Sequence, residues 1–170
     1  MEGKLRIAGT VAESIVDGPG FRSTVFTQGC PHHCPGCQNP QTHDFDSGTE
    51  IELSVLFADI MKNKFVRGVT LSGGEPFCQA EALYTLAKAL KENGRHLMAF
   101  TGYTFEQLLE LPDPYVRKLL GTLDLLVDGR FVLAERNIEL RYRGSENQRV
   151  LDVPKSLAAA APVWAEQYRG

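Results

Sequence analysis

Residues 68–101 read GVTLSGGEPFCQAEALYTLAKALKENGRHLMAFT, and the pattern of this segment is the clearest indication of the fold. Gly68–Ser72 is a short apolar run that predicts a strand, and it ends in the turn Gly73–Pro76. Apolar residues then recur at helical spacing as far as Asn93-Gly94, which predicts the C-cap of a helix. His96–Thr101 is the next predicted strand. A strand, a helix and a second strand in this order predict two parallel strands joined by a crossover helix.

The same alternation extends over the rest of the chain. Strands are also predicted at Leu5–Val11, Ser23–Thr27 and Leu123–Val127, and helices at Glu52–Lys64, from a capping box at Thr104 and Gln107, and at Tyr115–Leu120. Continuous apolar strands that alternate with helices indicate a parallel sheet covered by helices. Ligands of such sheets bind at the carboxyl ends of the strands. We therefore expect one pocket to be faced by the residues that follow strands: Cys30, Gly73–Glu75, Thr101-Gly102 and Asp128.

Three cysteines lie in the loop after the second predicted strand. The run GCPHHCPGCQNP, residues 29–40, spaces Cys30, Cys34 and Cys37 as Cys-x3-Cys-x2-Cys, so three thiolates on one short loop can reach one metal centre. A disulfide framework is the weaker hypothesis, because clustered thiols in a reducing compartment more often bind metal. Three ligands without a fourth are typical of a site that keeps an open position, as in a cubane cluster with one free iron. We expect such an iron–sulfur cluster.

Zinc is the alternative metal. His32 and His33 lie between the cysteines, and zinc often binds Cys together with His. Cys78 and His43 are candidates for a fourth ligand, but neither has a paired neighbour as a structural zinc site usually requires. The corresponding alternative function is a zinc-stabilised binding module without catalysis. We expect His32 and His33 to be solvated loop residues and Cys78 to be a small, partly buried apolar residue.

The composition is that of a globular protein. The 170 residues, 43% apolar and 23% charged, predict a single domain over residues 1–170 with its own core. The formal net charge of -3 gives no electrostatic reason to expect nucleic acid or an anionic membrane as a partner. We find no apolar core of signal-peptide type near the first residues and no apolar run of about 18 residues. A cytoplasmic location without membrane contact is therefore expected.

Several blocks of the sequence resemble one family. The cysteine spacing, followed by a Gly-Gly-Glu-Pro turn after a strand, resembles the radical S-adenosylmethionine superfamily. Asp17–Arg22, DGPGFR, is similar to the corresponding stretch of the activating enzymes of glycyl-radical proteins. The narrowest resemblance is to the activating proteins of anaerobic ribonucleoside-triphosphate reductase. The blocks that carry it are Cys30–Cys37, Thr101–Tyr103, Asp124–Phe131 and Arg143–Gln148.

This resemblance implies the cofactors and the reaction. Cys30, Cys34 and Cys37 would ligate three irons of a [4Fe-4S] cluster, and S-adenosyl-L-methionine would chelate the fourth iron through its amino and carboxylate groups. An electron from the cluster would split the sulfonium C–S bond into methionine and a 5′-deoxyadenosyl radical, which would take an α-hydrogen from a glycine of the reductase. Such a cluster needs a reduction potential toward the low end of the range of roughly −700 to +450 mV.

The resemblance also implies which residues bind the cofactor. Gly73 and Gly74 would let the backbone approach the methionine moiety where a Cβ would obstruct it, and Glu75 would accept a hydrogen bond from its ammonium group. Asp128 would bind a cation or orient the pocket, although a plain turn is an equal alternative there. Gly36 departs from the aromatic residue common in the superfamily. The full set implied is Gly36, Cys37, Gln38, Gly73, Gly74, Glu75, Thr101 and Asp128.

The fold that the resemblance implies is an open partial (β/α) barrel of about five or six mainly parallel strands, of radical SAM type. A complete eightfold barrel needs about 250 residues. Asp17–Arg22 would form part of the entrance for the reductase's glycyl loop, with Arg22 as a basic contact, and Arg143–Gln148 would line the pocket or contact the reductase. A reduced flavodoxin or ferredoxin would donate the electron. The alternative is a radical SAM activase of another glycyl-radical enzyme, or a small-molecule enzyme such as a 7-carboxy-7-deazaguanine synthase.

Overall fold

The computed structural model describes all residues, 1–170. Strands and helices alternate along most of the chain. The strands are β1 (Lys4–Ser14), β2 (Arg22–Thr27), β3 (Thr49–Glu52), β4 (Gly68–Gly73), β5 (His96–Phe100), β6 (Leu125–Asp128) and β7 (Arg149–Asp152). The helices are α1 (Leu53–Lys62), α2 (Ala80–Glu92), α3 (Phe105–Glu110), α4 (Pro114–Leu120) and α5 (Val153–Ala159). The helices predicted from periodicity and the strands predicted from apolar runs are confirmed, with bounds that differ by a few residues.

All strands belong to one mixed sheet of seven strands in the order β3-β1-β2-β4-β5-β6-β7. The central strands β2, β4, β5 and β6 are parallel, which confirms the parallel sheet predicted from the alternation. β1 pairs antiparallel with β2 and with β3, and β7 pairs antiparallel with β6. The sheet is open, because β3 and β7 are edge strands that do not pair with each other. The resemblance implied about five or six strands, which is too few, and the short edge strands β3 and β7 have no apolar run that would have predicted them.

One face of the sheet packs against the helices. Leu71 of β4 and Leu97 of β5 are fully buried there, in one cluster with Leu83 and Leu86 of α2 and Leu126 of β6. Burial of one such leucine side chain contributes roughly 1.5–3 kcal/mol. This helix-covered core fixes the positions of the central strands, and so of the loops that follow them.

The opposite face carries less apolar packing. Its cluster is made of Met98, Leu125, Val127, Val150 and Ala165. The segment between β1 and β2 covers part of this face, since Thr70 of β4 donates a hydrogen bond to the Asp17 carbonyl at 2.9 Å. A Cβ at Gly18, where φ is +149°, would lie 2.8 Å from the Met98 sulfur. The rest of this face, toward the carboxyl ends of the parallel strands, remains open.

The helix termini agree with the sequence signals. Thr104 Oγ1 accepts a hydrogen bond from the Gln107 amide at 3.1 Å, and Gln107 Oε1 accepts one from the Thr104 amide at 2.9 Å, which confirms the predicted capping box. The Phe131–Tyr142 segment contains no strand, and its Arg136 forms one isolated bridge with Ser145. None of the helices has both the length and the apolar character needed to cross a membrane.

Candidate metal and cofactor site

A cavity of about 460 Å³ lies at the carboxyl ends of β2, β4 and β5, on the face opposite the helices. Phe26, Ser72 and Phe100 contribute its strand surface, and Phe26 and Ser72 are direct neighbours in the sheet register. This volume falls in the range of about 300–1,000 Å³ that is usual for small-molecule and cofactor sites. The predicted site residues that line the cavity are Cys30, Cys34, Cys37, Gln38, Gly73, Gly74 and Thr101.

The three cysteines lie on a loop that is fixed at its base. The Gly29 amide donates to the Thr42 carbonyl at 2.7 Å and the Cys30 amide donates to the His43 carbonyl at 3.1 Å. Within the loop, the Cys37 amide donates to the Cys34 carbonyl at 3.1 Å. All three thiols are free, Cys30 buried and the other two half-buried. The loop therefore presents three unpaired sulfurs to one cavity.

The protonation of Cys30 depends on its burial. Desolvation raises the pKa of the Cys30 thiol, and the nearby Glu75 carboxylate adds to this effect, whereas backbone hydrogen bonds near His32 oppose it. A metal ligand must be a thiolate, so metal binding at this loop would release a proton. No group of three or more His, Cys, Asp or Glu side chains is placed so as to hold a single metal ion.

The Gly73-Gly74 turn packs directly on the backbone that leads into the cysteine loop. The Gly74 amide donates to the Thr27 carbonyl and the Glu75 amide to the Gly29 carbonyl, both at 2.8 Å. Gly73 has a φ of +95°, and a Cβ there would collide with the Thr27 backbone. A Cβ on Gly74 would overlap the Gly29 carbonyl. We expected a Cβ at these two positions to clash with a bound ligand. In the structure it would clash with the protein's own backbone.

Glu75 lies beside the cavity and is not among the residues that line it. Its side chain is fully buried, and its Oε1 accepts hydrogen bonds from His32 Nε2 at 2.7 Å, Thr101 Oγ1 at 2.8 Å and the Gly102 amide at 2.8 Å. Its Oε2 accepts from the Phe77 amide at 3.1 Å. The structure therefore places this carboxylate as a connection between the loops that follow β2, β4 and β5.

The prediction that His32 is a solvated loop residue is wrong. Its side chain is 3% exposed and lines the cavity while it donates to Glu75. Its ring meets Tyr103 edge-on with 4.6 Å between centroids. His33, by contrast, is exposed and is in the left-handed region with a φ of 51°. Sequence spacing did not reveal the difference, because the partners of His32 come from later loops.

Asp128 does not line the cavity, although the next residue, Gly129, does. Its carboxylate is 1% exposed and accepts from Arg149 Nε at 3.0 Å and from the Phe105 amide at 2.7 Å. A bound cation would have to compete with the Arg149 guanidinium, whose pKa is raised by this hydrogen bond. These contacts disfavour a bound cation, and they connect the end of β6 to the start of α3 and to β7. Gly36 also lies outside the cavity lining, with a φ of +75° and Leu133 close to where a Cβ would be.

Two further predictions from the sequence need correction. Arg22 is not at an entrance, because it is buried at the start of β2, where it donates to Thr70 Oγ1 at 2.8 Å and to the Val69 carbonyl at 3.0 Å. Burial lowers the pKa of Arg22 to about 10. Cys78 is exposed rather than partly buried, and it does not line the cavity. Neither residue lines the cavity that holds the three cysteines.

The segment Arg143–Gln148 does reach the cavity. Arg143, Gly144 and Gln148 are among the lining residues. Arg143 is buried, and its guanidinium donates to the Gln148 carbonyl at 2.9 Å and the Arg169 carbonyl at 3.1 Å. The polar residues of this segment are therefore largely used to hold its own fold at the cavity edge.

Comparison with known proteins bears on this site. Residues 16–151 match a family model described as a 4Fe-4S single cluster domain. The anaerobic ribonucleoside-triphosphate reductase-activating protein of Vibrio cholerae serotype O1 is 36% identical over 142 residues, covering 79% of this chain and 89% of the relative. The protein of the same name from Haemophilus influenzae is 32% identical over 148 residues, with the same coverage of both chains.

The chain belongs to the family of anaerobic ribonucleoside-triphosphate reductase-activating proteins.

A phage protein of the same name and one solved structure also match. The activating protein of Enterobacteria phage T4 is 30% identical over 143 residues, covering 79% of this chain and 86% of the relative. Among solved structures, QueE from Escherichia coli aligns with a TM-score of 0.47 and 21% identity, over 59% of this chain and 53% of that chain.

The activating-protein sequence also contains cavity residues that the motifs did not indicate. Phe26, Ser72 and Phe100 line the cavity, and each is the last residue of its strand whose side chain is on the cavity side of the sheet. Successive side chains of a strand point to opposite faces of the sheet. Counting in steps of two from the residues that face the helices would therefore have predicted that these three side chains lie on the other face. Asn39, which follows the cysteine loop, had no such signal, whereas His43 was indicated only as a candidate fourth ligand of zinc.

Proposed function

We propose that this chain activates anaerobic ribonucleoside-triphosphate reductase. It would generate the glycyl radical of the reductase through reductive cleavage of S-adenosyl-L-methionine at a [4Fe-4S] cluster. One observation carries the proposal: Cys30, Cys34 and Cys37 share a single cavity with Gly73, Gly74 and Thr101, in a chain of the activating-protein family.

The residues of the cavity fit these cofactors. Three free thiols from one loop match the donor set of a cubane cluster with one iron left for substrate. The fourth cysteine, Cys78, lies outside the cavity, which supports a cluster held by three protein ligands. The cavity extends from the cysteines past Thr101 to Gly129 and Arg143, so it offers room for a nucleotide beside the cluster.

When bound, the cluster and S-adenosyl-L-methionine supply one-electron reduction and hydrogen-atom abstraction. The three cysteines would hold the cluster. Gly73, Gly74, Cys37 and Gln38 would contact S-adenosyl-L-methionine through backbone and side-chain groups that line the cavity. Thr101 would contact its ribose or methionine part. The cavity walls would keep bulk water from the reacting atoms, which limits side reactions.

Two carboxylates that we expected to bind the cofactor have a different role in this proposal. Glu75 and Asp128 would position the cavity walls rather than touch the cofactor, because hydrogen-bond donors of the chain already occupy their oxygens. Gly36, which does not line the cavity, would serve the turn between Cys34 and Cys37.

We extend the proposal to the setting of this reaction. Residues 1–170 would act as a single domain, and the open sheet would be the partial (β/α) barrel of the radical SAM type, with the reductase's glycyl segment entering at the cavity. The electron would come from a reduced flavodoxin or ferredoxin, in the cytoplasm, with no nucleic acid as partner.

The test is direct production of the glycyl radical. The protein is reconstituted with iron and sulfide under anoxia, reduced, and mixed with S-adenosyl-L-methionine and purified reductase. Electron paramagnetic resonance should detect a glycyl doublet that requires all components. Formation of 5′-deoxyadenosine without the doublet would contradict the reductase as the target. One zinc per chain in place of iron and sulfide would contradict the cluster itself.

A further inference from the structure

The cysteine loop carries one side chain that is not a metal ligand yet is tied into the cavity wall. His32 lies between Cys30 and Cys34, and its Nε2 donates to Glu75 Oε1 at 2.7 Å. Both side chains are almost completely buried, with exposures of 3% and 0%. A hydrogen bond from a buried donor to a buried carboxylate is charge-assisted, so its loss removes a strong contact between the two groups.

The partner of His32 is itself held from two other loops. Glu75 also accepts from Thr101 Oγ1 and from the Gly102 amide, both at 2.8 Å. Glu75 follows β4, and Thr101 and Gly102 follow β5. The hydrogen bond of His32 therefore connects the loop after β2 to the ends of the next two strands.

The packing of the imidazole ring adds to this connection. A Cβ at Gly102 would overlap the His32 ring, so this glycine leaves the space that the ring fills. On the next residue, the Tyr103 ring meets the imidazole edge-on at 4.6 Å. The ring is thus held by a hydrogen bond on one atom and by close packing on its faces and edge.

We propose that His32 is the positioning residue that sets the cysteine loop against the Gly-Gly-Glu turn, and thereby fixes the distance between the cluster and the site for S-adenosyl-L-methionine. This inference rests on the proposed function. Cys34 and Cys37 lie on the half-buried side of the loop, without backbone hydrogen bonds to the strands. His32 supplies the contact to the strand ends that this side of the loop otherwise lacks.

The adjacent histidine provides a matched control. His33 is in the same loop, is exposed, and has its ring contact with His43 at 5.3 Å between centroids. Asparagine tolerates the left-handed φ of 51° at this position, so His33→Asn changes the loop composition without adding backbone strain. His32→Gln keeps a donor of similar reach to Glu75, whereas His32→Ala and His32→Leu remove the donor.

The experiment compares these variants after anoxic reconstitution. Iron and sulfide content is measured first, then the electron paramagnetic resonance spectrum of the reduced cluster with and without S-adenosyl-L-methionine, and the Kd of that cofactor. We expect His32→Ala to assemble a cluster and to bind the cofactor at least tenfold more weakly, with a broadened spectrum that changes little on cofactor addition. His32→Gln and His33→Asn should stay within threefold of the parent. If His32→Ala fails to fold, His32→Leu takes its place in the comparison.

The possible outcomes distinguish a failure of the proposed function from a failure of the role of His32. A parent protein whose cluster spectrum does not respond to S-adenosyl-L-methionine would contradict the proposed function. A responsive parent with His32→Ala or His32→Leu unchanged in spectrum and Kd would overturn the role of His32. His32→Gln as defective as the variants without a donor would overturn it too, because the hydrogen bond to Glu75 would then not be the cause.

Discussion

The contact between the Gly-Gly turn and the cysteine loop can be tested by a single methyl group. Gly74 does not have a left-handed φ, so Gly74→Ala introduces no backbone strain of its own. The new Cβ would lie 2.8 Å from the Gly29 carbonyl carbon and 2.9 Å from the Thr42 carbonyl oxygen. These are backbone atoms at the base of the cysteine loop, so they cannot rotate out of the way.

The cost of this change has two parts. Overpacking of a close contact costs about 1–3 kcal/mol. A shift of the turn away from Gly29 would also weaken the 2.8 Å hydrogen bond from the Glu75 amide to the Gly29 carbonyl, worth about 1 kcal/mol. We therefore expect Gly74→Ala to lower the free energy of unfolding by about 2–4 kcal/mol.

Urea unfolding under anoxia measures this difference. A lower urea concentration at the unfolding midpoint, with an unchanged dependence of the unfolding free energy on urea, would show that the stability has changed and the unfolded state has not. Gly9→Ala is the matched control, because it is the same substitution in a strand of the same sheet with no heavy atom within 4 Å of the new Cβ. It should change stability by no more than about 0.5 kcal/mol. Equal unfolding midpoints for Gly74→Ala and Gly9→Ala would refute the reasoning.

Three further predictions concern other groups. Asp128→Ala removes a 1% exposed carboxylate from its salt bridge and should lower the unfolding free energy by about 3 kcal/mol in urea titrations, whereas Glu106→Gln, at the exposed end of the same network, should stay within about 1 kcal/mol. Burial lowers the pKa of His96, so its contribution to stability is complete above the ordinary pKa of about 6.5 and is lost as the pH falls through the lowered value. The drop in unfolding free energy between about pH 7.5 and pH 5 should thus be smaller in His96→Gln, and an equal drop would contradict this assignment. Cys34→Ala should lose cluster iron and reduce 5′-deoxyadenosine formation to background, while Cys78→Ser should match the parent in both assays, and an active Cys34→Ala would contradict the three-cysteine site.

The central part of the fold was predictable because its strands are buried on both faces. β4 and β5 read as apolar runs bounded by turns, and the helix between them has a clear periodicity. The edge strands β3, TEIE, and β7, RVLD, are short and charged, and they form only because β1 and β6 offer unpaired edges. Such pairing depends on tertiary context that local pattern does not contain.

The site was predictable in its location and less so in its contacts. The rule that ligands bind where parallel strands end placed the cysteines, Gly73 and Thr101 at one cavity. The same rule did not distinguish a carboxylate that faces the cavity from one that is buried beside it. Glu75 accepts hydrogen bonds from Thr101, 26 residues away, and from His32, 43 residues away. Its orientation therefore depends on loops that only the folded chain brings together.

The most direct test of the account asks whether the cofactor binds to the cluster that these three cysteines hold. Electron–nuclear double resonance of the reduced cluster, with S-adenosyl-L-methionine labelled with nitrogen-15 at its amino group, measures that contact. We expect a nitrogen coupling in both the parent protein and Cys78→Ser. A fully assembled cluster that shows no coupling to the labelled amino group would contradict it.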